Sequence, residues 1–153
     1  VGFVVGSFFS VSAVPLLVGF AAGRNSYTWS AIKRTGSFCV NVLGTHQLEL
    51  SARMSGPGDR FEGISHGDAP VSGAPLLDGV PAWVDCTIDA IHPASDHDLV
   101  VGRVEAFDVA GDNLEPLIFH RRLFGGFVQV QGGSNGEVGG AVSGAATDER
   151  AAS

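Results

Sequence analysis

Asp96-His97-Asp98 runs straight into Leu99-Val100-Val101-Gly102-Arg103-Val104, so an imidazole with an acid on each side stands at the mouth of an apolar strand. A histidine so placed can orient a ligand or exchange a proton with it, and His97 with Asp96 is the candidate catalytic pair. The plainer alternative is a solvated turn, in which the acids are only turn formers. A second candidate is Arg24-Asn25-Ser26-Tyr27-Thr28-Trp29, which follows an apolar run and leads into a short helical one. A helix N-terminus offers unpaired N–H groups, hydroxyls at Ser26 and Thr28 add donors, and Arg24 supplies the full charge that a phosphate prefers. Here the plainer alternative is that Ser26 or Thr28 is an ordinary N-cap. The third, Ser7-Phe8-Phe9-Ser10-Val11-Ser12, alternates small polar with large apolar residues. A flat heteroaromatic ring could lie against such an edge, though a bent strand would read the same way.

The elements that must position these groups are mostly strands. Short β-branched and aromatic runs predict strands near Gly2–Phe9, Leu16–Phe20, Ser37–Leu43, Ala82–Ile91, Leu99–Val109, Pro116–His120 and Phe127–Gln131. In the fourth, Val84, Cys86, Ile88 and Ala90 alternate with Asp85, Thr87 and Asp89, the pattern of a half-exposed antiparallel strand. Helical signal is confined to Thr28–Thr35, stopped by Gly36, and to His46–Met54, where Glu49 and Arg53 are spaced for an i,i+4 pair. Gly56–Gly79, rich in Gly, Pro and Asp, reads as a long surface excursion. Many strands and few helices predict a small barrel, one domain over 1–131. From Gly132 to Ser153 the chain is Gly, Ala and Ser with scattered charges, too poor in large apolar residues for a core, and reads as a flexible tail. The chain opens on Val1 within a strand-like run, and we expect the natural N-terminus to precede it.

Several classes of function are disfavoured. A net charge of −7 does not suit a nucleic-acid or anionic-membrane surface. Val1–Gly23 is uncharged and long enough to span a bilayer, but its serines, glycines and Pro15 fit two buried strands joined by a bend better than one helix. Cys39 and Cys86 sit in apolar runs without paired spacing and read as reduced core thiols of a cytoplasmic protein. His46, His66 and His92 have no partner pattern, no spacing resembles a zinc site, and no glycine-rich dinucleotide fingerprint opens a helix. His120 ends a strand, and Arg121 and Arg122 after it read as facing water.

Taken in order, the blocks Ser7–Ser12, Arg24–Trp29, Gly36-x-Phe38-x-Val40-Asn41-Val42-Leu43, Asp59-Arg60-Phe61, Gly73-x-Pro75-Leu76-Leu77, Asp96-His97 with Gly102-Arg103-Val104, and Pro116–His120 resemble the flavin reductase family of FMN-binding split barrels. The resemblance spans about Gly2 to Phe127. It departs at Ser95, where the family usually has Gly, and at Val14-Pro15, where it usually has Pro-Pro. The resemblance implies a mainly β, Greek-key split barrel with a few short helices. It also implies a homodimer with FMN or FAD near the subunit interface, NADH or NADPH as hydride donor, and a flavin-dependent monooxygenase receiving reduced flavin. On this reading Ser7, Phe8, Ser10, Val11 and Ser12 contact the flavin ring, and Arg24, Asn25, Ser26 and Thr28 its phosphate. Asp96 and His97 then stand beside the nicotinamide, with His97 orienting it. The alternatives are a non-enzymatic FMN-binding electron carrier or sensor, which needs no nicotinamide site, and a pyridoxamine-phosphate-type oxidase, for which a dense basic cluster is missing.

Overall fold

The computed structural model describes residues 1–111 and 114–128; the expected tail over 132–153, and 129–131 of the last expected strand, lie outside the described residues. Strands β1 (Phe9–Ala13), β2 (Leu16–Gly23), β3 (Ser37–Val42), β6 (Ala82–Ala94) and β7 (His97–Val109) form one antiparallel sheet in the order β1-β2-β7-β6-β3. The sheet is open, with β1 and β3 at its edges. Its spine is the long β6–β7 hairpin, in which Ala94 faces His97 across a two-residue turn, Ser95-Asp96. Helix α1 (Tyr27–Thr35) connects β2 to β3 and ends on Gly36, whose φ of 74° and N–H bonded to the Ile32 carbonyl close the helix where the sequence predicts.

The main core joins Val18, Phe20 and Ala22 of β2 to Trp29, Phe38, Cys86 and Val100. Phe20 meets Trp29 and Phe38 edge to face, with centroids 6.0 and 5.2 Å apart. Gly102 makes this possible, because a Cβ there would lie 2.5 Å from the Phe38 ring.

Three expectations need correction. The first strand begins at Phe9 rather than Gly2: Phe3, Val5 and Phe8 pack against the core as an unpaired segment, so their apolar character reflects burial without a strand partner. The Gly56–Gly79 stretch is not simply an excursion. It holds a small hairpin, β4 (His66–Asp68) with β5 (Pro75–Leu77), that covers a second core of Met54, Leu77 and Val80. Asn41 of β3 fastens this hairpin, donating to the Pro75 carbonyl (3.0 Å) and accepting from Leu77 N (2.8 Å). Along β6 the alternation holds for Val84, Cys86 and Ile88, which share the face of the main core, but the opposite face is not all solvent. Asp85 on that face is fully buried under the turn between β4 and β5, its Oδ2 accepting the N–H groups of Val71 and Ser72.

The second helical segment divides into a single 3₁₀ turn, Thr45–Gln47, and α2 (Leu48–Ser55). Arg53 donates to the Glu62 carbonyl, and no Glu49–Arg53 ion pair forms among the described residues. After β7 the chain crosses to Leu43–Thr45 and forms a hairpin, β8 (Ile118–His120) with β9 (Leu123–Gly125). Phe127 and Val128 follow outside any strand.

Candidate functional site

The sheet brings two of the three candidate blocks to one end. Gly23, the last residue of β2, pairs with His97, and Arg24 N donates to the Asp96 carbonyl at 3.0 Å, so the strand-to-helix loop and the Asp96-His97 turn are stitched together. Along β7 successive side chains leave on opposite faces, and His97 and Asp98 have opposite fates. His97 is exposed, its Nδ1 2.9 Å from Asp96 Oδ1. This contact, first as a hydrogen bond and then as a charge interaction, holds the Asp96 carboxyl below its ordinary value.

Asp98 turns inward and is only 3% exposed. The Trp29 indole donates to its Oδ2 at 2.8 Å, Lys33 Nζ lies 3.1 Å from the same oxygen, and Arg24 Nε lies 3.3 Å from Oδ1. Lys33 also stands over the Trp29 ring, 5.2 Å from its centroid. The indole hydrogen bond, opposed by desolvation and reinforced by Lys33 and Arg24, holds the Asp98 carboxyl below the usual aspartate range. Only one of the two acids flanking His97 therefore addresses the imidazole; the other anchors the helix that carries the Ser26–Thr28 hydroxyls.

Ser26 is the N-cap of α1, its Oγ accepting from Trp29 N at 3.2 Å, while its carbonyl accepts Ser30 N. Those bonds leave the N–H groups of Tyr27 and Thr28 without an intrahelical acceptor. In front of them opens a cleft of about 560 Å³, lined by Ser26, Tyr27, Thr28, Asp59, Arg60 and Phe61 together with the start of the chain. The volume falls in the range of small-molecule sites. The cation at this cleft is Arg60, with Nη1 3.4 Å from Thr28 Oγ1 and 2.6 Å from the Gly2 carbonyl, and Nε 2.9 Å from the Gly56 carbonyl. Asp59 sets this up by bending the chain, its Oδ1 accepting from Phe61 N. Arg24, by contrast, is committed to Asp98 and to the Ser95 carbonyl, 3.4 Å from its Nη1. Asn25 is exposed.

The Ser7–Ser12 block divides. Ser7 Oγ accepts from Ala21 N at 2.9 Å, and Phe8 packs on the main core. Ser10 and Val11 are exposed on β1 and Ser12 half-buried, with Val11 unpaired at a register shift between Ser10 and Ser12. β1 is an edge strand, so this stretch offers hydroxyls and unused backbone groups to a planar ligand. Neither Ser7–Ser12 nor His97 lines the cleft. Sequence reasoning left Arg60 without a role although it lies in a quoted block; its signal is an arginine two residues after Gly58 in a turn segment otherwise poor in cations. Lys33 and Asp98 were legible in retrospect, one a helical turn after Trp29 and the other out of phase with His97. Among the described residues no cluster of His, Cys, Asp and Glu could hold a metal ion, and no helix is long and apolar enough to cross a membrane.

Comparison with known proteins places this geometry. The model of the flavin reductase like domain matches residues 1–127, nearly the whole described chain. The chain belongs to that family. It is 39% identical over 130 residues to a flavin reductase of Pseudomonas putida, covering 84% of this chain and 75% of that protein. It is also 39% identical over 127 residues to HsaB, the reductase subunit of a flavin-dependent monooxygenase of Rhodococcus jostii, covering 82% of this chain but only 64% of HsaB, just under two thirds of its length. Among solved structures, the NADH:FAD oxidoreductase SgcE6 of Streptomyces globisporus, in complex with NAD and FAD fragments, superposes with a TM-score of 0.77 at 26% identity, covering 82% of this chain and 76% of that one. Flavin reductase family membership agrees with the mainly β architecture.

Proposed function

We infer that the chain is an NAD(P)H:flavin oxidoreductase that transfers hydride from NADH or NADPH to FMN or FAD and supplies reduced flavin to a separate monooxygenase. The observation that carries this reading is the match over 1–127, joined to a site whose parts suit a flavin nucleotide. A phosphate needs donors and positive charge, and the cleft has the free N–H groups of Tyr27 and Thr28, the hydroxyls of Ser26 and Thr28, and Arg60. Arg24 and Asn25 border this end, Arg24 holding the loop through Asp98. The isoalloxazine lies along Ser10, Val11 and Ser12, with Ser7 and Phe8 fixing that strand from behind. When bound, flavin supplies the hydride acceptor at N5. The residues contribute orientation rather than covalent chemistry: His97, exposed and steadied by Asp96, positions the nicotinamide.

The protein acts as a homodimer in the cytoplasm. The dimer is supported by apolar side chains left exposed on β1 and after β7, among them Phe9, Val11, Phe119 and Phe124. A reducing compartment is supported by Cys39 and Cys86, both free thiols pushed up to about 12 by burial. The test is steady-state oxidation of NADH and NADPH by purified protein with FMN, FAD or riboflavin added. Turnover that depends on added flavin is expected; no turnover with any pairing, in folded protein, rejects the assignment.

A further inference from the structure

Asp98 lies too deep for a substrate to touch, yet its carboxylate holds groups that border the candidate site. Oδ2 accepts the Trp29 indole N–H and the Lys33 ammonium, and Oδ1 faces Arg24 Nε. Enclosing a carboxylate is costly unless its oxygens are met, and a well-packed apolar side chain often serves stability as well as a buried ion pair does. The Arg24 arm of this network adds little, because half of that side chain is in solvent and exposed pairs contribute weakly. Stability alone does not account for the acid.

The contacts of Arg24 give another account. Its backbone N–H donates to the Asp96 carbonyl at 3.0 Å, and its Nη1 lies 3.4 Å from the Ser95 carbonyl. Both carbonyls of the two-residue β6–β7 turn are thus met by this one residue, and its Nε closes the circuit on Asp98, just past His97. The exposed histidine is bracketed by two residues tied to the same arginine. The turn needs holding, since Ser95 is left-handed at φ 56°, a conformation that persists where surrounding contacts over-determine it. A surface arginine left to itself samples many rotamers. Asp98 keeps this one in the rotamer that reaches Ser95, and Asp98 is itself fixed by Trp29, which is fully buried on the inner face of α1.

We propose that Asp98 is a positioning residue for hydride transfer: through Arg24 it holds the Ser95-Asp96 turn and so sets where His97 presents its imidazole to the nicotinamide. This rests on His97 standing beside the nicotinamide, as argued above. Asp98 touches neither nucleotide, and its effect on the reaction passes through His97.

Two variants break the link from opposite ends. Asp98→Asn keeps an oxygen for the Trp29 indole and removes the charge that holds Arg24; Arg24→Ala removes the guanidinium at a half-exposed position, where folding is not at risk. The readout is stopped-flow reduction of pre-bound FMN across a range of NADH and NADPH concentrations. Each variant should lower kcat/KM for the nicotinamide by about three- to tenfold, no more than His97→Ala does, because a positioning residue cannot cost more than the group it positions. FMN affinity should change by less than about fivefold. The deciding measurement is the pair of double variants, Asp98→Asn/His97→Ala and Arg24→Ala/His97→Ala, each of which should reduce flavin no more slowly than His97→Ala alone. Losses that add in the double variants overturn the proposal, since Asp98 then serves the fold and not the histidine; wild-type kinetics in Arg24→Ala overturn it equally. Wild-type kinetics in His97→Ala remove the role of His97 and this proposal with it, while flavin-dependent turnover still stands. No turnover in the wild-type protein is a different result, which rejects the reductase reading itself.

Discussion

Arg60→Ala and Arg24→Ala separate two cations that sequence alone would exchange. Both precede or border the Ser26–Thr28 turn, but Arg24 is spent on Asp98 at 3.3 Å with half of its side chain in solvent, whereas Arg60 Nη1 lies 3.4 Å from the Thr28 hydroxyl at the cleft. A charge-assisted contact to phosphate is worth about 1.5–3 kcal/mol, which corresponds to roughly ten- to a hundredfold in affinity. Arg60→Ala should therefore weaken FMN by that factor, while riboflavin, which has no phosphate, loses much less. A half-exposed ion pair such as Arg24's is worth at most about 1 kcal/mol, so Arg24→Ala should move FMN affinity by less than about fivefold. Quenching of flavin fluorescence on titration with protein gives both constants, and riboflavin cancels any general loosening of the Gly2 and Gly56 contacts that Arg60 also makes. Equal losses for FMN and riboflavin in Arg60→Ala, or a larger FMN-specific loss in Arg24→Ala, would refute the assignment of the phosphate to Arg60.

His97→Ala should raise KM for the nicotinamide or slow flavin reduction by about tenfold, the value of one positioning hydrogen bond; stopped-flow reduction of pre-bound flavin reads this, with flavin affinity near wild type. Ser95 sits at φ 56° in the β6–β7 turn, and Ser95→Gly removes about 1 kcal/mol of left-handed strain. Added freedom in the unfolded chain offsets about half of that, so Tm should rise by about 1–3 °C in a thermal melt. Cys39 and Cys86, raised to about 12, stay protonated in the native protein. Unfolded thiols ionise from about 9, so the unfolded chain sheds protons that the native one keeps, and stability should fall as pH rises from 9 toward 12. Denaturant melts across that range check this, and iodoacetamide at pH 8 should label neither thiol until the protein unfolds.

Period-2 patterning located β2, β3, β6 and β7 because those strands are long or bounded by clear breakers such as Gly36. It misplaced the first strand because Phe3, Val5 and Phe8 are apolar for burial alone, and burial without pairing leaves the same trace in a sequence as a strand does. Asp85 illustrates a second limit. Its place among alternating residues predicts solvent, but the Val71–Ser72 turn covers that face of β6 and donates to its carboxylate, and which loop lies over a strand is set by the tertiary fold rather than by local composition. At the site, the proximity of Arg24 to the Asp96-His97 turn was implicit in the order of motifs. Which arginine faces the cleft was not, since that depends on Asp98 capturing Arg24 from across β2 and β7.

The turn between β6 and β7 has only two residues, and that length decides which neighbour of the pair His97-Asp98 is inside. With β6 fixed by its partners, one residue added between Ala94 and His97 would slip β7 by one position and exchange the two faces. The imidazole would then enter the space between Trp29, Lys33 and Arg24, and the carboxylate would be turned out to solvent. Loop length, which most loops vary freely, acts here as a chemical specification: it selects a histidine over an aspartate as the group left exposed at this end of the sheet.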